Sequence, residues 1–351
     1  MIQHPEFHPD AARAMAHFSR HPEYRPTPLI EIEPGSGARV LVKNESQRLG
    51  LTSFKALGAP YAIAQILLSE WKTITQTDGP QLVDPEFREF AREYSFVAAS
   101  AGNHGVGLAA GAKAIGAQAK VYLSDQVPIE FEAMLQRMDA QVVRKGATYE
   151  DSVAAAVSDA EQTGAFLVAD SSWPGYTLPP ALVMEGYTVI AEELRHRFEI
   201  TGEWPTHVFL QCGVGGLAAA IAYMVRSNWK KQPKIVVVEP ESAACMKASH
   251  EAGRVTEVYG SYSTMGRLDC KVPSLLAWQT LERSQVEYVT ISDEEGAEAA
   301  AKLSDLGVHT TSSGAAGFAG LLKSDPAIVS SQSSLPLIIS TEATGAIDAS
   351  A

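Results

Sequence analysis

Lys55 is the residue of this sequence around which covalent chemistry can be built. It closes the run Asn44-Glu45-Ser46-Gln47-Arg48-Leu49-Gly50-Leu51-Thr52-Ser53-Phe54-Lys55, which follows a strand-like stretch at 38–42. Ser53 fits a helix N-cap ahead of Phe54, Ala56, Leu57 and Tyr61, so Lys55 is expected in the first turn of a helix. Cations are disfavoured at that positive end, and apolar neighbours add a desolvation cost. Such a lysine is expected to lose its proton readily, and a neutral amine forms a Schiff base with an aldehyde. Taken alone, the stretch fits an ordinary solvated lysine as well.

Two glycine-rich turns supply possible partners. Ser100-Ala101-Gly102-Asn103-His104-Gly105-Val106-Gly107 lies between an apolar strand at 96–99 and a small-residue helix at 108–115. A helix start there offers backbone N–H groups to a substrate carboxylate. Asn103 adds an amide able to meet a phenolate-type oxygen, and His104 reads as packing; a plain tight turn is the alternative. Gln211-Cys212-Gly213-Val214-Gly215-Gly216-Leu217 sits between a strand at 207–211 and a helix at 217–226. Its glycines let a phosphate approach the main chain. With Glu239 they also imitate a dinucleotide fingerprint, but the spacing is GxGG and not GxGxxG, which disfavours a nicotinamide cofactor. Cys212 reads as buried packing.

The elements that must carry these turns alternate along the chain. Further strands are expected at 119–124, 141–144, 165–169, 234–238, 286–291 and 335–340. Thr148 with Asp151, and Ser292 with Glu295, resemble capping boxes opening helices that stop near Gly164 and Gly307. Strand–helix alternation implies parallel sheets covered on both faces, a doubly wound α/β architecture. Residues 94–172 read as a compact inserted unit, with 1–93 and 173–351 forming a larger one. The segment 73–87 reads as a surface excursion.

Composition narrows the ligand. The 351 residues carry a formal charge of −13, which argues against nucleic acid or an anionic membrane as partner and leaves a small metabolite. Neither a secretory h-region nor an 18-residue apolar run occurs, and the three cysteines are far apart, so a cytoplasmic protein is expected. His250-Glu251 lacks a second histidine, and no metal site is expected.

Taken together and in this order, the three stretches resemble the fold type II family of pyridoxal 5′-phosphate (PLP) enzymes, which includes threonine and serine dehydratases. The resemblance implies that Lys55, after Phe54, carries the cofactor. It implies that Ser100, Ala101, Gly102, Asn103 and His104 hold the substrate, that Asn103 also meets the cofactor, and that Gly213, Val214, Gly215, Gly216 and Leu217 hold its phosphate. Within the family the chain is similar to the diaminopropionate ammonia-lyases. That likeness rests on Lys43-x-Glu45-Ser46 with Arg48, Asp170-Ser171-Ser172-Trp173, Met184-x-Gly186-Tyr187, the stretch 264–278 and Ser340-Thr341-Glu342, and it covers about 26–342. Two positions depart from it: Ala101 stands where an aspartate usually precedes Gly-Asn-His, and Pro174 where an acidic residue is common.

The implied activity is α,β-elimination of a β-substituted amino acid, 2,3-diaminopropionate first, with the L-isomer preferred because the aspartate at 101 is the family's base toward the D-substrate. Lys55 is the implied general base, and Asp170 is the remaining polar candidate near the substrate, to bind a β-ammonium or assist its departure, with an ordinary N-cap or strand-end carboxylate as its alternative. Ser340 or Thr341 would face the ring nitrogen, and a neutral hydroxyl there favours elimination over transamination. A hydroxy amino acid dehydratase, a β-replacement synthase, a nicotinamide oxidoreductase and a non-catalytic binder are the competing readings. A homodimer is the expected assembly.

Overall fold

The computed structural model describes residues 6–35, 39–77, 81–127, 129–331 and 333–345. Among the described residues ten strands form two sheets. The larger contains β1 (Leu29–Ile32), β2 (Val40–Asn44), β7 (His207–Gln211), β8 (Lys234–Pro240), β9 (Glu287–Ile291) and β10 (Pro336–Ser340), in the order β1-β2-β10-β7-β8-β9. β1 pairs antiparallel with β2 and every other pairing is parallel. The smaller sheet contains β3 (Ser95–Ala99), β4 (Gln118–Leu123), β5 (Gln141–Arg144) and β6 (Phe166–Leu167), in the order β5-β4-β3-β6 and wholly parallel. The α/β class is as expected, because parallel neighbours need helical crossovers.

Both expected capping boxes form. Thr148 and Asp151 open the helix Tyr149–Thr163, which ends at Gly164 with φ +74°; Ser292 and Glu295 open Asp293–Asp305. Two expectations need correction. β6 is only two residues long, where five were expected. The segment 73–87 is exposed over most of its described length, as expected, but not throughout: its start belongs to the helix Ala59–Thr75, and its end lies in the helix Pro85–Ala91, whose Phe87 is fully buried against Trp71. Residues 78–80 of it lie outside the described residues, as do 1–5 and 346–351 of the larger expected unit.

β2 is held from below by a buried ionic cluster. Lys43 donates to Glu193 at 2.5 Å, and Arg48 spans Glu193 and Glu45 at 2.6 and 2.7 Å, with all four side chains at most 2% exposed. Thr27 and Tyr24 hydroxyls satisfy remaining carboxylate lone pairs. Buried charge is tolerated only when paired in this way. The cluster fixes the turn leading to Lys55, and in that turn the Glu45 N–H donates to the carbonyl of Ser340 at 2.8 Å.

Candidate active site

Lys55 does not lie in an α-helix. It sits in a short 3₁₀ turn, Phe54–Leu57, that Gly58 separates from the helix Ala59–Thr75. Ser53 caps it as expected, its Oγ accepting from the Lys55 N–H at 3.3 Å. The turn is pinned on three sides. The Phe54 N–H donates to Thr341 O at 3.1 Å, tying it to the end of β10. A Cβ on Gly186 would overlap Leu57 O, so glycine there lets the helix Leu178–Thr201 meet the turn backbone directly. Gly107 and Gly111, one turn apart on the helix Asn103–Ile115, face Lys55 O and Pro60 in the same way, which accounts for that helix's small residues.

The expectation of an easily deprotonated Lys55 is overturned. Its Nζ lies 2.5 Å from Asp170 Oδ2, with the two side chains 18% and 22% exposed. Burial alone would depress the amine, but the Asp170 carboxylate and then the Tyr187 phenol outweigh it and hold the amine well above its ordinary value. Burial would likewise raise the Asp170 carboxyl, yet Lys55 and then His104 pull it well below the usual carboxylate range. The Tyr187 ring lies 5.6 Å from Nζ, and burial pushes its phenol up to about 12. Phe54 flanks the amine from another side, at 5.3 Å.

Asp170 and Tyr187 connect Lys55 to the second glycine turn. A Cβ on Gly216 would lie 3.7 Å from the Tyr187 ring and 3.9 Å from Asp170 O. Gly215 has φ +99° and precedes the helix Gly216–Asn228, whose Leu217 is buried. At Gly213 an added Cβ would meet Cys270 Sγ at 3.0 Å and Arg267 O at 3.1 Å, and Val214 is fixed through its carbonyl by Ser274 N–H at 2.9 Å. Cys212 is buried, and burial pushes its thiol up, as packing requires. Glu239 accepts from the N–H groups of Met246 and Lys247 at 2.7 and 2.8 Å, so it caps the helix Cys245–Ala252 and is not offered to a ribose.

The first glycine turn is joined to the second through Arg267, whose side chain lies against Gly102 and whose carbonyl lies against Gly213. Ser100 Oγ accepts from Gly102 and Gly105 N–H at 3.2 and 3.0 Å, shaping the start of the helix Asn103–Ile115. His104 Nε2 lies 2.7 Å from Val168 O and is buried, which depresses its imidazole and agrees with a packing role. Asn103 donates its amide to Glu342 and Ala101 is half-buried. Met265 is core and Thr264 is exposed.

At the end of β10, Ser340 Oγ is buried and has no hydrogen-bond partner among the described residues, while Thr341 Oγ1 accepts from Gln211 at 3.3 Å. A buried hydroxyl left unmatched is costly and asks for a ligand atom. That hydroxyl, the glycine cradle at 213–216 and the lysine between them fit an aromatic aldehyde bearing a phosphate. Sequence reading missed Arg267, whose guanidinium lies against Gly102, because nothing nearby in the chain marks it.

Comparison with known proteins agrees with this geometry. Residues 21–337 match the family described as pyridoxal-phosphate dependent enzyme. A diaminopropionate ammonia-lyase of Escherichia coli (strain K12) is 32% identical over 280 residues, which cover 78% of this chain and 70% of that one. A probable D-serine dehydratase of Vibrio cholerae is 26% identical over 272 residues, covering 73% and 60%. The crystal structure of the Escherichia coli diaminopropionate ammonia lyase in complex with D-serine superposes with a TM-score of 0.79 at 27% identity, over 97% of this chain and 90% of that chain. The nicotinamide reading is set aside, and this chain belongs to the fold type II pyridoxal-phosphate dependent enzymes, as a PLP-dependent ammonia-lyase that works by elimination.

Proposed function

We propose that the substrate is 2,3-diaminopropionate, with the L-isomer preferred, and that the products are pyruvate and two molecules of ammonia. The observation that carries this reading is the Asp170 carboxylate, held ionised beside Lys55 Nζ. Once Lys55 is committed to the cofactor, Asp170 faces the site without its cation. A substrate β-ammonium is the natural replacement, since a buried carboxylate is tolerated only when paired. The relatives named as diaminopropionate ammonia-lyases support the same substrate.

PLP, when bound, supplies the electron sink that acidifies the substrate Cα–H and lets the β-substituent leave. The chain supplies the rest. Lys55 Nζ takes the Cα proton, and Asp170 Oδ2 steadies the ammonium so formed and the departing amine. Ser100 to His104 would orient the carboxylate, Gly213 to Leu217 would receive the phosphate, Ser340 and Thr341 would offer neutral hydroxyls to the ring nitrogen, and Asn103 would offer its amide to the ring oxygen. Phe54 and Tyr187 wall the amine from water.

Keto acid and ammonia release from L- and D-2,3-diaminopropionate, L-serine and hydroxyaspartate tests the reading. Pyruvate from the L-diamine is expected; no pyruvate from it, alongside turnover of L-serine or hydroxyaspartate, would overturn it. A hydroxy amino acid is the second reading, supported by the D-serine dehydratase relative. The same proposal expects a cytoplasmic homodimer, which the solution mass of the holoenzyme checks; no described helix is long and apolar enough to cross a membrane.

A further inference from the structure

Asp170 lies on the connector at 168–177 that leads from β6 to the helix Leu178–Thr201. Before Asp170 the connector is tied to the smaller sheet and to itself. The Val168 N–H donates to Val97 O on β3 at 2.8 Å, and the Ala169 N–H donates at 3.0 Å to the Tyr176 hydroxyl, which donates to Leu167 O at 2.7 Å. None of these bonds relates Asp170 to the glycine cradle at 213–216.

The bonds after Asp170 do. Ser172, two residues on, faces Ser274, and both serines are buried. The Ser172 N–H donates to Ser274 Oγ at 3.0 Å, and the two hydroxyl oxygens are 2.7 Å apart, one donating to the other. Ser274 stands at the N-cap of the helix Leu275–Arg283, where a serine ordinarily accepts from a backbone N–H of its own helix. Its side chain makes no such bond. The first turn of that helix is capped from outside, with the Leu275 N–H donating to Ser172 O and the Leu276 N–H to Ser172 Oγ, both at 2.9 Å. The Ser274 main chain meanwhile holds the cradle, its N–H donating to Val214 O at 2.9 Å. One residue therefore grips the cradle with its backbone and the Asp170 connector with its hydroxyl.

We propose that Ser274 is a positioning residue for the elimination: through Ser172 it sets the Asp170 carboxylate relative to the cradle. The inference rests on the reading that Asp170 assists departure of the β-amine. The cradle fixes one end of the cofactor and Asp170 meets the substituent carried at the other, so the distance between them decides whether the carboxylate reaches its target. A displacement of about 1 Å in such a group can cost on the order of 10²-fold in rate. Burial strengthens the tie, because water does not replace a hydroxyl removed from either side.

The test is a double-mutant cycle of Ser274→Ala with Asp170→Asn, read first as holoenzyme turnover of L-2,3-diaminopropionate. Ser274→Ala should lower kcat about 10- to 100-fold. PLP affinity should stay within about threefold, since the N–H that holds Val214 remains. In the Asp170→Asn background the same change should cost less than about twofold more, because the group being positioned is already gone. Costs that multiply in full, or a PLP affinity that falls as far as kcat, would overturn the role of Ser274. An Asp170→Asn enzyme with wild-type turnover would overturn the underlying reading of Asp170 instead. A second cycle needs no turnover: in cofactor-free protein the loss of melting temperature caused by Asp170→Asn should shrink by about half or more when Ser274 is alanine. An equal loss in both backgrounds would overturn the tie. Ser172→Ala cuts the same bond from its other end and supplies both cycles should Ser274→Ala not fold.

Discussion

Lys55 and Asp170 are 115 residues apart in sequence and 2.5 Å apart in space, each holding the other in its charged form. In the cofactor-free protein this pair is a stabilising contact with a defined pH signature. Asp170 is held below its ordinary value, so its contribution is complete above the pH at which the unfolded carboxylate ionises and is lost as pH falls toward the folded value. Lys55 is held above its ordinary value, so its contribution is complete below the unfolded lysine value and is lost only as pH rises through the folded one. Asp170→Asn should therefore cost cofactor-free protein about 1–3 kcal/mol, a gap that stays flat between about pH 6 and 9 and narrows below about pH 4. Denaturant unfolding at a series of pH values measures it, and a gap that changes near neutrality would contradict the pairing. In the holoenzyme the same substitution should slow turnover more than it weakens cofactor binding.

Ser340 makes the opposite prediction. Its buried Oγ has no partner among the described residues, so removing it from cofactor-free protein takes away a desolvated hydroxyl and no contact. Ser340→Ala should leave the cofactor-free melting temperature almost unchanged, while cofactor affinity falls about 3- to 10-fold, the value of one ordinary hydrogen bond. Fluorescence titration with PLP and thermal denaturation separate the two effects. A large loss of stability without a change in affinity would make Ser340 a packing residue.

What sequence reading could reach was set by the range of the interactions. The capping boxes at Thr148 and Ser292 and the glycine turn at 211–217 are written within a few residues and stand where expected, while the turn at 100–107 is shorter than expected, its helix beginning at Asn103 and not at 108. β1 went unseen because four residues between Pro28 and Pro34 give too short an alternation, and its antiparallel pairing depends on β2 being there. Phe87 looked exposed among polar neighbours, since its partner Trp71 lies on another helix. The protonation of Lys55 was misjudged for the same reason: the local helix field and apolar neighbours favour the neutral amine, but a distant carboxylate outweighs both. Arg267 is a further case, as its side chain lies against Gly102 and near Glu342, neither of them near it in the chain.

Ala101 gives the last prediction, one of gained function. It is half-buried and immediately precedes Gly102. In the proposed scheme Lys55 takes the Cα proton from one face only, so a substrate of the other hand would need a base on the other side. The resemblance puts an aspartate at this position for that purpose, and an alanine methyl has no proton to accept. Ala101→Asp should raise turnover of D-2,3-diaminopropionate on the order of 10²-fold, the usual contribution of a positioned base. It should also raise KM for both isomers, because in the proposed scheme the new carboxylate would stand beside the turn that receives the substrate's own and repel it. Steady-state kinetics on the two isomers, each with the wild type and the variant, provide the comparison. If wild-type protein already turns over both isomers at comparable rates, position 101 does not decide the isomer preference and the L-preference is overturned.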